Sequence, residues 1–231
     1  MSRYIILIAA LCFINAGISA QQVSAQNDWY EDPSTERYLI SQTGRNIEKG
    51  SGYYQNVLIF FNSAHYGLTD WFSLGVGFEA ISTFSGNPIL LVLPKIGLEL
   101  SENFSLGAGV HYLNASVIAS EAHGGIAYGV GTYHFDKSNI SIGAGWAFLQ
   151  DEFSNEPVIT LSGMTRLSRR IGLVSENWIF PTGDSNYALF TYGVRFIGEN
   201  TSFDISFINS KDIAKTFPVG LPAWASFSFY F

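Results

Sequence analysis

The sequence holds a single cysteine, Cys12, and only 12 lysines and arginines in 231 residues. One cysteine cannot form an internal disulfide, so a stapled secreted scaffold is excluded. With 19 acidic residues and a net charge of −7, the chain lacks the clustered cations that bind phosphates, and no nucleic-acid partner is expected. Charge of either sign is scarce. It reaches 13% against about 25% in an ordinary soluble domain, too little ionic surface for a soluble globule of this length. Long hydrophobic runs are missing beyond the N-terminus: the longest, Pro88 to Pro94, is strand-sized, which excludes membrane helices. What the chain has instead is 47% hydrophobic and 16% aromatic residues, the opposite of a disordered composition.

The N-terminus reads as an address. Met1-Ser-Arg-Tyr is followed by the apolar run Ile5–Ile14 and then small residues, the order of a secretory signal peptide. Cleavage after Ala20 is preferred over Ala25, giving a signal over 1–20 and an N-terminal periplasmic segment over 21–34. Cys12 falls inside the signal, so the exported chain carries no thiol chemistry.

From residue 35 onward, segments of period-two alternation are separated by Gly, Asn, Asp, Ser and Pro clusters, the pattern of strands with one apolar face. Phe72, Leu74, Val76 and Phe78 alternate with Ser73, Gly75, Gly77 and Glu79. The phrase Phe72-Ser-Leu-Gly-Val-Gly77 recurs at Phe104 and Ile140, with fainter echoes at Ile171 and Phe203, about 31–36 residues apart. That spacing is one β-hairpin. No helix pattern follows these glycines, so they do not cradle a nucleotide phosphate.

The alternation predicts about twelve strands, with ten or fourteen as alternatives: residues 35–42, 53–67, 71–84, 88–100, 103–115, 123–135, 139–150, 157–168, 171–180, 186–197, 200–209 and 221–231. Short connections (68–70, 101–102, 136–138, 169–170, 198–199) alternate with mostly longer ones (43–52, 85–87, 116–122, 151–156, 181–185, 210–220). Short turns on one side and long loops on the other predict an all-β, antiparallel transmembrane β-barrel over 35–231, with the turns and both termini on the periplasmic side. Trp71, Trp146, Trp178 and Trp224 are expected in interfacial girdles.

The final strand, Ala223-Trp-Ala-Ser-Phe-Ser-Phe-Tyr-Phe231, resembles the C-terminal strand of bacterial outer-membrane β-barrel proteins. The resemblance implies that Phe227, Phe229 and Phe231 are read by the barrel assembly machinery as an insertion signal. The wider phrase from Tyr53-Tyr-Gln-Asn56 through Leu68-Thr-Asp70 to Phe72-Ser-Leu-Gly75 is similar to a group of uncharacterised outer-membrane proteins of the Bacteroidota, which brings no known function. Outer-membrane lipid and lipopolysaccharide are the partners such a location implies.

Because a charge facing lipid costs about 2–4 kcal/mol near the midplane, parity assigns Glu79, Lys95, Glu99, His111, Arg166, Glu176, Arg195 and Asp204 to the barrel interior. Two readings follow. These residues line a polar channel, or they close the lumen by pairing with one another. The glycine pairs 75/77, 107/109 and 143/145 also point inward, leaving room or permitting curvature.

An outer-membrane lipid-modifying enzyme would need a Ser, a His and an acid together. Ser116, Ser120, Glu121, His123 and His111 are the residues nearest that composition, but no nucleophile elbow is present and no catalytic residue is assigned. His65, His111, His123 and His134 lack metal spacing, and no metal or cofactor is expected. The loop acids Asp151, Glu152, Glu156 and Asp184 read as solvated charge rather than a cation site. The expectation is a passive pore or small-solute channel with a mixed-charge lumen. The alternative is a structural or surface-binding barrel with a closed lumen.

Overall fold

The computed structural model describes residues 29, 30, 32, 34–115, 122–182 and 185–231. The expected signal segment and its cleavage positions lie outside these residues, as do Ser116, Ser120, Glu121 and Asp184. The described chain contains no helix long and apolar enough to cross a membrane. It is an antiparallel sheet closed on itself.

Twelve strands form the wall: β1 (Gly52–Val57), β2 (Phe61–Gly67), β3 (Phe72–Glu79), β4 (Ile89–Ser101), β5 (Phe104–Asn114), β6 (His123–Phe135), β7 (Ser138–Leu149), β9 (Val158–Ser168), β10 (Ile171–Thr182), β11 (Ser185–Ile197), β12 (Thr201–Ser210) and β13 (Leu221–Tyr230). Each pairs with its sequence neighbours, and β1 closes the ring against β13, with Tyr53 opposite Tyr230 and Val57 opposite Ser226. The two-residue strand β8 (Glu152–Phe153) folds back on β7 within a long loop. Closure removes every free edge along the paired length, the condition for crossing hydrocarbon with strands.

The exterior rows are apolar. Val76, Ile142, Leu161, Phe203 and Ile205 all face outward and exposed, so lipid rather than water solvates them. Phe227, Phe229 and Phe231 belong to the same outer surface. Trp71 and Trp146 also face outward. Trp178 and Trp224 do not: one donates its indole N–H to the inward Glu176 at 2.7 Å and the other packs on the interior cluster, so the girdle expected of four tryptophans has two here.

Three of the predicted strands differ from the fold. The strand expected over 71–84 stops at Glu79, whose carboxylate caps a short helix over Ala80–Phe84; this leaves the strand count unchanged. Residues 35–42 are no wall strand; they form turns inside the bore with a bridge between Arg37 and Gln42. Residues 53–67 are two strands, not one, reversing at Leu58-Ile59, where φ is 51° and 71°. These last two differences cancel in the count of twelve, and the alternation of short turns with the opposite connections survives.

Candidate functional site

Residues 34–49 lie across the bore and bond to its inner face in turn. Ser34 Oγ reaches Ser202 of β12 at 3.2 Å and the Tyr230 hydroxyl of β13. Arg37 donates to Ser228 Oγ at 2.7 Å and stands over the Tyr53 ring of β1. The Tyr38 hydroxyl bonds Asn139 and Ser141 of β7 at 2.6 and 2.7 Å. Ser41 meets Ser162 of β9 at 2.9 Å, and the Gly44 N–H donates to Thr132 of β6 at 2.8 Å. Lys95 Nζ donates to the Glu36 carbonyl at 2.7 Å, and Lys49 bridges to Gly67 of β2. The segment therefore touches the wall on all sides.

Its backbone approaches so closely that the wall must lack side chains there. A Cβ on Gly97 would meet Asn46 N at 2.7 Å, and one on Gly107 would meet Thr43 O at 3.0 Å. Of the expected glycine pairs, Gly107 thus makes room for this segment. Gly109, Gly143 and Gly145 make room instead for Tyr128, Thr160 and Ile126.

Two charged clusters fix the segment. On β10, Glu176 Oε2 accepts from three successive backbone N–H groups, Leu39 at 3.0 Å, Ile40 at 3.0 Å and Ser41 at 2.9 Å, and from Ser41 Oγ at 2.9 Å. One carboxylate so satisfies a whole turn of orphan donors with charge-assisted bonds. On the other side, Arg195 Nε bonds Asp204 Oδ1 at 2.7 Å, and Arg195 Nη2 donates to the Tyr38 carbonyl at 2.5 Å. Asp204 Oδ2 accepts from Ser226 at 2.9 Å and faces Arg37 at 3.7 Å. Arg37 also neighbours Glu36 at 3.6 Å. Burial pushes the Glu36 carboxyl above its usual range, opposed by Arg37 and Lys95. Leu39 and Tyr38 complete the anchor by packing on Met164, Val174 and Ile197. Among the described residues, two cavities flanking the segment measure about 20 and 10 Å³, room for single waters.

The eight residues assigned inward by parity separate into groups. Lys95, Glu176, Arg195 and Asp204 are buried and each holds residues 34–49. Glu99 lies on the same inner face near the short-turn end, exposed, 3.2 Å from Arg45. Arg166 sits at that same rim, donating to the Tyr30 and Arg169 carbonyls at 3.1 and 2.6 Å. His111 points into the bore edge-on to Tyr128. Glu79 ends β3 at the opposite rim, where its carboxylate caps the helix Ala80–Phe84 by accepting from Ile81 N and Ser82 N at 2.8 and 2.7 Å. It does not join the others.

The residues missed from sequence are Glu36, Arg37, Tyr38 and Ser41. A signal was there: Glu36-Arg37 are adjacent charges and Leu39-Ile40 adjacent apolar residues, so a lipid-crossing strand over 35–42 would turn one charge outward. Among the described residues no group of His, Cys, Asp and Glu could hold a metal.

No protein-family model matches the chain, and no curated protein does. Among solved structures, a KdgM porin superposes with a TM-score of 0.53 at 10% identity, covering 78% of this chain and 96% of its own. A KdgM porin in complex with disordered oligogalacturonate gives 0.54 at 11% identity with the same coverage. At that identity the likeness is one of fold: a closed antiparallel β-barrel.

Proposed function

We propose that this protein is a channel-type barrel of the bacterial outer membrane whose pathway is held shut by its own residues 34–49. Solute would pass only when that segment leaves the bore. The observation that carries the reading is the Glu176 carboxylate gathering Leu39, Ile40 and Ser41. Polar groups of the inner wall that would otherwise face the lumen are here bonded by the segment's peptide and side chains. The porin-like fold supports transport over catalysis, and the solute is a small polar molecule of a size set by the bore. The short turns face the periplasm, so the segment enters from that side, where Arg169 lies over the Tyr30 ring at 4.0 Å and Lys137 over Trp29 at 3.6 Å. Assembly would proceed through the barrel insertion machinery by way of Phe227, Phe229 and Phe231.

The second reading is a permanently closed structural barrel, favoured by the burial of the Arg195–Asp204 pair beneath the segment. Conductance separates the two. Loosening residues 34–49 with Glu176→Ala opens a channel under the first reading and leaves the bilayer silent under the second.

A further inference from the structure

Positive charge on the short turns is gathered in one place. Lys137 in the β6–β7 turn and Arg166, Arg169 and Arg170 around the β9–β10 turn are four of the chain's 12 lysines and arginines. The two turns are neighbours: the Arg166 N–H donates to the Lys137 carbonyl at 3.1 Å, and Ser138 pairs with Thr165. The other three short turns carry Asp70, Glu102 and Glu199 and neither lysine nor arginine. An anion approaching this end of the barrel is therefore drawn to one side of it and repelled elsewhere. Asp136 shares the first turn, but among the described residues none of the four cations forms an ion pair with a carboxylate.

What gathers the cations is aromatic. Lys137 Nζ stands 3.6 Å and Arg166 Cζ 5.4 Å from the centre of the Trp29 ring, while Arg169 and Arg170 share the Tyr30 ring at 4.0 and 5.5 Å. A ring covers one face of a guanidinium and leaves its N–H edge free. Arg166 turns that edge to the Tyr30 and Arg169 carbonyls, and Arg170 gives one N–H to the Tyr30 hydroxyl at 3.3 Å. The Arg169 guanidinium and the Lys137 ammonium have no hydrogen-bond acceptor among the described residues, and both side chains are exposed. Asp32, two residues beyond Tyr30, accepts instead from the Ser34 N–H at 2.9 Å.

The depth of this cluster is that of a lipid headgroup. Phe104, Tyr133, Phe135 and Phe203 are exposed on the outer surface near the short turns, and Tyr133 and Phe135 stack with centroids 6.2 Å apart. Such a belt marks the membrane–water interface. Lys137 follows Phe135 by two residues, and Arg169 follows the exposed Leu167 by two. The cations thus sit just beyond the belt, at the level of the periplasmic leaflet's phosphates, and Phe135, Ile140 and Leu167 offer acyl chains an apolar surface directly above them.

We propose that Arg169 and Arg170 form a headgroup site for an anionic glycerophospholipid of the periplasmic leaflet. Their guanidinium edges donate to its phosphate oxygens, and Lys137 adds its charge to the field that draws the headgroup in. A soluble phosphate would meet the same donors but gain nothing from the apolar surface above. The site lies outside the bore and stands whether or not residues 34–49 leave it.

The test presents the full chain, folded in detergent, with equal amounts of phosphatidylglycerol and phosphatidylethanolamine of identical acyl chains, and counts retained lipid by native mass spectrometry. Phosphatidylglycerol should be retained in preference. Arg169→Gln with Arg170→Gln should cut its retention roughly tenfold, while Lys211→Gln with Lys215→Gln, at the opposite end of the barrel, leaves it unchanged; folding is verified by heat-modifiable mobility. Equal retention of the two lipids, or a preference that survives loss of both arginines, overturns the site. Glycerol phosphate at the same concentration should not displace the lipid, and displacement overturns the lipid assignment. Location is read on the unaltered protein in liposomes with phosphatidylglycerol carrying a photoactivatable headgroup. Adducts should concentrate on residues 135–138 and 167–171, and equal labelling of the turns at Asp70 and Glu199 overturns the placement.

Discussion

Arg195 on β11 and Asp204 on β12 stand opposite each other in register, and their Nε and Oδ1 atoms meet at 2.7 Å with neither side chain reaching solvent. Removing one partner from such a pair leaves an uncompensated charge, at a cost of about 3–5 kcal/mol. Asp204→Asn strands both Arg195 and Arg37. It is expected to lower the urea midpoint of the folded form markedly, while Arg195→Met with Asp204→Leu loses far less. Equal losses in the single and double variants would contradict the pairing.

Glu176 acts on the segment rather than on the wall. Glu176→Ala removes four acceptor contacts to residues 39–41, and charge-assisted bonds contribute about 1.5–3 kcal/mol each. The barrel should keep its heat-modifiable mobility, while a maleimide should label Ser41→Cys at least tenfold faster in this background. Unchanged labelling would mean that the carboxylate is not what seats the segment.

The β1–β2 turn holds an isoleucine at φ 71°, a conformation that β-branched residues avoid at a cost of about 1–3 kcal/mol. Asn56 Oδ1 clasps the turn by accepting from Ile59 N at 3.1 Å. Asn56→Ala removes that clasp and is expected to destabilise the folded barrel by about that amount. Adding Ile59→Gly should restore much of the loss, because glycine adopts positive φ without strain. A second substitution that merely adds to the first would point away from backbone strain.

At the seam, Phe231 exchanges both backbone bonds with Gly52, each at 2.9 Å. Deleting it removes the last rung joining the first and final strands, together with the aromatic terminus. The yield of heat-modifiable protein should fall several-fold in cells, and a normal yield would count against the insertion role.

The exterior of this barrel was legible because lipid enforces period two: Phe72, Leu74, Val76 and Phe78 could only face one way. The same parity assigns Lys95, Glu176, Arg195 and Asp204 to the interior, and all four are buried. What parity could not convey is what fills the interior, since an inward charge looks the same facing water or facing peptide. The segment 35–42 has the length of a strand, but its alternation breaks at Glu36-Arg37 and Leu39-Ile40. The hairpin hidden in 53–67 is signalled in the same way, by five consecutive apolar residues from Val57 that no alternating strand accommodates.

The most direct test of the closed-channel account is single-channel conductance of the Ser41→Cys, Ser162→Cys protein, whose parent hydroxyls lie 2.9 Å apart. With the disulfide formed, residues 34–49 are pinned to β9 and the bilayer should stay silent. Reduction in the Glu176→Ala background should then give discrete openings. Equal conductance before and after reduction would show that the segment does not close the path, and silence in both states from correctly folded protein would show that there is no path to close.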